Sequence, residues 1–196
     1  MTSMMAEAAL HEEALNEAAV HAYLDILHRQ IETAEGQYLF NFDQVDLSEN
    51  DAKVVPLWTD VPGQGQLVTG GFHVVIDGDR TAQIQGVVVD PRYRDGRRMR
   101  MLLAARMNVL CRLGDVDGFA LAVRVLPDGS INVRGHRLFS SLGFADDQIK
   151  RIPISGTRLD RHFLATVEPD GRSVRCLLMR RSADAVQMTQ PVCLEG

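Results

Sequence analysis

Cysteine is scarce in this chain of 196 residues: Cys111, Cys176 and Cys193 are widely separated, and no CxxC pair occurs. So dispersed a set excludes a disulfide framework and a clustered zinc site, and a reducing cytoplasm is the expected setting. Long apolar runs are lacking too, and no stretch approaches the roughly 20 apolar residues of a membrane span. The N-terminus, MTSMMAEAALHEEA, turns acidic at once instead of joining a basic stretch to an apolar run, so no signal peptide is expected. Aromatic residues make up only 6% and few interleave the basic ones, so nucleic acid is not an expected partner. The two glycines of VPGQGQ (61–66) have no helical pattern behind them and read as a loop, not a phosphate cradle.

What is present is an ordinary globular composition, 45% hydrophobic and 24% charged, enough to bury one sizeable core. The net charge of −5 hides an asymmetry. Residues 1–60 hold 12 acids against 2 bases, and residues 61–196 hold 14 against 19. The basic part suits an anionic ligand, or complements the acidic part internally.

Residues 4–34 read as one long helix, with Val20, Leu24, Leu27 and Ile31 at helical spacing and Gly36 as its stop. Residues 1–36 therefore form a first unit, a helix packed on the body or an acidic arm for a protein partner or a second copy of the chain. Residues 37–196 form the second. Segments 37–45 and 52–58 read as strands. LVTGGFHVVI and TAQIQGVVVD flank Asp77-Gly78-Asp79, a hairpin signature. The apolar run 86–89 fits a strand covered on both faces. Arg97 to Leu113 reads as a helix with Met99, Leu102, Leu103, Leu110 and Leu113 on one side. A strand at 119–126, a helix ending at Leu142, and a hairpin of HFLATV with SVRCLLMRR about a turn at 169–172 complete the chain. This order predicts an α/β fold, a mixed sheet with helices on both faces.

Two segments stand out, VVVDPRYRDGRRMRMLLAARM (87–107) and NVRGHRLFSSLGF (132–144). In order and spacing they resemble the two cofactor motifs of the GNAT superfamily of acyl-CoA-dependent N-acyltransferases. The lead Val89-Asp90-Pro91-Arg92-Tyr93 matches the first motif, and Arg94 stands where its Q/R-x-x-G-x-G/A pattern begins. Asn132, Leu138, Leu142, Gly143 and Phe144 match the second without a gap. The resemblance implies a mostly antiparallel central sheet and acyl transfer from acetyl-CoA or another acyl-CoA to an amine, by direct attack in a ternary complex. It implies cofactor contacts from Val87 and Val89 on the strand, and from Arg94, Asp95, Gly96, Arg97, Arg98 and Met99 at the turn. Asn132 and Phe139 contribute from the second motif.

The chain departs from the pattern at three places. The two small positions of the first motif hold Arg97 and Met99, with Gly96 one place early. Glycine serves there because a Cβ holds the backbone away from the phosphates. Phe139 stands where the family commonly has the tyrosine that protonates the departing thiolate. Seven arginines lie between 92 and 112, and their forks suit phosphate. Side-chain grip is thus the expected substitute for backbone grip.

The oxyanion donor implied by the resemblance is a backbone N–H on the strand ending at Val89, where it splays from strand 119–126. For a base the central strands offer His73 and Asp90; of the two, His73 has the suitable intrinsic pKa. His11, His21 and His28 do not make a metal site. Two rival expectations accompany the enzyme. A degenerate fold serving as a binding module would have the cleft filled, by Met99 or Phe139. A donor on an acyl carrier protein would place arginines around a pocket mouth.

Overall fold

A computed structural model describes residues 17–33, 38–39, 47–48, 51–95, 97–153, 167–168 and 173–187. Residues 4–16 of the expected first helix, Gly36, most of the expected strand 37–45, Gly96, the 169–172 turn with strand residues 162–166, and Cys193 lie outside them.

Helix α1 (Glu17–Ile31) turns Ala19, Tyr23, Leu27 and Ile31 inward at four-residue spacing, the stripe that commits a helix to one face. Strands β1 (Lys53–Val61) and β2 (Gly65–Ile76) pair antiparallel. The VPGQGQ loop is their tight turn, with Gly63 and Gly65 in the left-handed region. Strand β3 (Thr81–Val89) follows the Asp77-Gly78-Asp79 turn as the sequence indicates. A single 3-10 turn, Pro91–Tyr93, leads into α2 (Arg97–Leu113). Strand β4 (Gly118–Val125), helix α3 (Val133–Ser141), strand β5 (Ala145–Pro153), strand β6 (Ser173–Ser182) and the short α4 (Ala183–Gln187) complete the order.

The six strands form one sheet in the order β1-β2-β3-β4-β6-β5. Every pairing is antiparallel except β3 with β4. One core lies between the sheet and α2, α3 and α4, built on Phe72, Phe119, Leu103, Met107 and Met179. A second lies between α1 and the opposite face, built on Tyr23, Leu27, Val54 and Val88. Helices therefore cover both faces, as the element order predicts.

Three expectations need correction. Strand β5 was not foreseen as a strand: its ADDQIKRIP sequence shows no apolar alternation, because an edge strand rich in exposed charge has only one neighbour to satisfy. Leu113 is 59% exposed at the end of α2, and Met107 and Cys111 take up the inward stripe instead. The run 86–89 is not sealed on both faces; only Val88 is buried, while Val87 and Val89 border a cavity.

That cavity follows from two irregularities. Strand β3 pairs with β4 only through Thr81, Ala82 and Gln83, after which the two diverge. At Gly86, β3 also bulges: the β2 register passes from His73↔Gln85 to Gly71↔Val88, one residue out of step. A one-residue bulge exchanges the faces of a strand. Ala82 and Ile84 accordingly belong to the α2-side core, whereas Val88, beyond the bulge, belongs to the α1-side core.

Candidate active site

The gap between β3 and β4 opens into a cavity of about 1150 Å³. Seven of the ten residues picked out from the sequence border it: Val87, Val89, Arg94, Asp95, Met99, Asn132 and Phe139. Arg97 and Arg98 do not, and Gly96 lies outside the described residues. Met99 and Phe139 are buried in the α2-side core and leave the cavity open, contrary to what a filled cleft requires. Phe139 stacks edge-on against Phe144, with ring centroids 5.9 Å apart.

The bulge is held from behind. Gly86 has φ +61, and a Cβ built on it would fall 2.1 Å from the Tyr23 hydroxyl. That hydroxyl donates to the Gly86 carbonyl at 2.9 Å and lies 3.0 Å from His73 Nδ1. The phenol oxygen and His73 Nδ1 share a hydrogen bond whose donor is set by the tautomer of the imidazole. His73 is also hydrogen-bonded to Gln85, which borders the cavity. Burial pushes the imidazole down to about 4 and the phenol up, so both are neutral. His73, the sequence's candidate base, is thus buried behind β3 and does not border the cavity; its place is in the support of the bulge. Asp90 is committed as well. Its carboxylate accepts from Arg92 Nη2 at 2.7 Å and Nε at 3.0 Å, and Arg29 approaches to 3.7 Å. The Arg92 hydrogen bonds hold its pKa below the ordinary carboxylate range.

The start of α2 differs from an open anion site. Asp95 Oδ1 accepts from the backbone N–H groups of Arg97 and Arg98, each at 3.0 Å, and Oδ2 pairs with Arg98 Nε at 3.1 Å. A carboxylate of the chain itself therefore sits on the positive end of the helix. Arg94 ties the end of β3 to α1, donating to the Val89 carbonyl and to Gln30 Oε1. Asn132 caps α3 by accepting from Gly135 N–H at 3.0 Å.

The lining has one dominant charge. Arg94, Arg100, Arg124, Arg134 and Arg137 border the cavity, and Asp95 is the one carboxylate among the described lining residues. Arg124, Arg134 and Arg137 were not singled out from sequence. Arg134 and Arg137 stand at open positions of the second motif, and Arg124 sits at an alternating place in FALAVRVL. Burial pushes Arg124 down to about 10, which leaves it charged at neutral pH. Among the described residues no group of three or more His, Cys, Asp or Glu is arranged to hold a metal, and no helix is long and apolar enough to cross a membrane.

A sheet with this strand order, one parallel pair that parts after three residues, and helices on both faces is the fold of the GNAT acetyltransferases, and the chain has that fold. It is similar to spermidine N-acetyltransferase from Vibrio cholerae, solved in complex with CoA and spermine (TM-score 0.57, 14% identity, 89% of this chain and 95% of that chain). It is also similar to the ribosomal-protein-S18-alanine N-acetyltransferase from Escherichia coli (TM-score 0.55, 18% identity, 93% and 97%). A third is the ribosomal-protein-S5-alanine acetyltransferase from Vibrio fischeri (TM-score 0.54, 11% identity, 87% and 89%). No protein-family model and no curated protein sequence matches the chain.

Proposed function

We propose that the chain is an N-acyltransferase that moves an acyl group from an acyl-CoA thioester to an amine within a ternary complex. The observation that carries this is the open cavity where β3 parts from β4, bordered by Val87, Val89 and Phe139 with the Gly86 bulge on its edge. In this reading the thioester lies in the gap and the backbone beside the bulge donates to the carbonyl oxygen as negative charge develops there. The amine attacks the carbonyl carbon, the C–S bond breaks, and the thiolate leaves.

Phe139 has no proton to give, so the thiolate is protonated by water. A general acid contributes typically 10²–10⁴-fold, and its loss slows such a reaction without forbidding it. The amine's proton also leaves to water, since neither histidine nor glutamate borders the cavity among the described residues. The donor's phosphates fall to arginine side chains, with Arg100, Arg134 and Arg137 placed on the α2 and α3 side.

A second reading keeps the chemistry and changes the carrier: the thioester arrives on an acyl carrier protein. The arginines among the lining residues and the Asp95 carboxylate on α2 favour it, because an acidic partner needs side-chain cations and no open helix end. Titration with acetyl-CoA by calorimetry, followed by a thiol-release assay over an amine panel, separates the two. Micromolar binding with amine-dependent thiol release supports the acyl-CoA donor. No binding at millimolar acetyl-CoA, with release from acetylated carrier protein, supports the second. Release from neither donor overturns both.

A further inference from the structure

The Gly86–Val87 peptide is trans, so the Gly86 carbonyl and the Val87 N–H point in opposite directions. The carbonyl accepts from the Tyr23 hydroxyl at 2.9 Å, and Tyr23 belongs to α1 and to the core on that side of the sheet. The Val87 N–H is therefore turned away from α1. Gly86 and Val87 both border the cavity, and Val87 packs against the α2-side core.

This peptide lies at a break in both neighbouring ladders. The β2 register passes from Gln85 to Val88, setting Gly86 and Val87 together against Phe72, and pairing with β4 ends at Gln83. Tyr23 supplies an anchor at the break. Its ring is fully buried and seated between two glycines. A Cβ on Gly71 would fall 2.9 Å from ring carbon Cδ2, and one on Gly86 would overlap the hydroxyl. His73 Nδ1, 3.0 Å from the phenol oxygen, steadies the hydroxyl from β2. Burial raises the phenol pKa, so the hydroxyl keeps its hydrogen. A hydroxyl donating to an amide oxygen draws electron density along the peptide and strengthens its N–H as a donor, because linked hydrogen bonds polarise one another. A dipole set in advance meets an oxyanion without reorganising as the charge develops.

Resting on the acyltransferase reading, we infer that Tyr23 is a positioning residue for acyl transfer: from α1 it aims and polarises the Gly86–Val87 peptide, and the Val87 N–H meets the thioester oxygen. The amide keeps its proton throughout. The amine nitrogen bonds to the carbonyl carbon, the C–S bond breaks, the thiolate leaves, and the amine proton passes to water.

The test uses the purified full chain as wild type and Tyr23→Phe. The probe is the donor that wild type turns over, acetyl-CoA or acetylated carrier protein, isotopically labelled at the carbonyl carbon. Single-turnover thiol release with the amine that wild type uses best reads the chemical step, and infrared difference spectra read the carbonyl stretch of the bound donor. Tyr23→Phe is expected to slow release by roughly 5- to 30-fold, less than the roughly 10²–10³-fold cost of deleting an oxyanion donor, because the N–H remains and only its aim and polarisation suffer. Half-saturating concentrations of donor and amine are expected to stay within about threefold. The stretch, lowered on binding to wild type, is expected to move back toward its value in solution. A ring-fluorinated tyrosine at position 23 keeps the hydroxyl, makes it a stronger donor, and is expected to lower the stretch further. A side chain that serves stability alone moves the melting temperature and neither of these readings.

A folded Tyr23→Phe with an unchanged release rate or an unmoved stretch overturns the inference and leaves the acyltransferase reading standing. Where the phenylalanine variant does not fold, the fluorinated chain decides, and a stretch equal to that of wild type overturns the inference. Absence of thiol release from wild type with both donors overturns the acyltransferase reading and the inference together.

Discussion

At the scale of single residues, the bulge in β3 rests on Gly86 and Tyr23. An alanine at 86 meets two penalties, a positive φ and a Cβ on the Tyr23 hydroxyl. Left-handed backbone costs an L-residue about 1–2 kcal/mol, and displacing a buried hydroxyl from its acceptor adds about 1–3. Gly86→Ala is therefore expected to lower stability by roughly 2–5 kcal/mol in urea denaturation, a change of under about 1 kcal/mol showing that the bulge relaxes freely. His73 gives the same region a pH dependence. Its ordinary pKa of 6.5 is lowered to about 4 in the fold. Between those values the unfolded chain binds the proton and the folded chain does not, so protons favour unfolding. The contribution of neutral His73 is complete above about pH 6.5 and is lost as pH falls toward about 4, on the order of 3 kcal/mol in all. Carboxylates such as Asp90, held low by Arg92, also lose stability in acid, so the comparison that isolates the histidine is wild type against His73→Gln. The variant is expected to be less stable at neutral pH but to show a flatter decline from about pH 7 to 4. Parallel declines would mean His73 is protonated in the fold.

At the scale of elements, the start of α2 is where this chain parts most clearly from an open phosphate site. Asp95 caps the helix with a full negative charge, and asparagine caps nearly as well without one. Asp95→Asn is expected to leave the melting temperature almost unchanged and to tighten acetyl-CoA binding up to about fivefold, the value of one charge at a helix end. Unchanged affinity would place the donor's phosphates away from this helix. Much of the element-level pattern was legible in sequence. The Asp-Gly hairpin between β2 and β3, the bounds of α2 and the Leu-Gly-Phe end of α3 are local signals, set by turn chemistry and helical period. Strand β5 was not legible, because its exposed Asp146, Asp147, Lys150 and Arg151 carry no core-facing alternation. The bulge was not legible either: Gly86 is demanded by Tyr23, 63 residues earlier in the chain. Arg124 looks like a solvent-facing residue in FALAVRVL, yet it is 1% exposed, on a strand paired there with β6 through Cys176. Proximity in space between distant segments decides all three.

At the scale of the whole molecule, two electrostatic effects oppose each other. The chain carries −5 overall, concentrated in residues 1–60 with 12 acids against 2 bases, and this charge repels an anionic donor. Among the described residues, five arginines and one aspartate border the cavity itself, and this attracts it. Salt distinguishes them, because it screens distance. At about 0.1 M ionic strength the Debye length is roughly 10 Å, so acids far from the cavity are largely screened already. Arginines on the cavity wall act at a few ångströms, where much of the attraction persists until salt is raised further. The local term wins at ordinary salt, and its loss on adding more is the observable. Acetyl-CoA affinity is therefore expected to fall by about three- to tenfold between roughly 0.05 and 0.5 M sodium chloride. Replacing Arg134 and Arg137 together by glutamine is expected to weaken binding at low salt and to flatten the dependence. Affinity that rises with salt would show instead that the net charge of the whole chain governs the encounter, and that the arginines spend their charge on the protein's own acids.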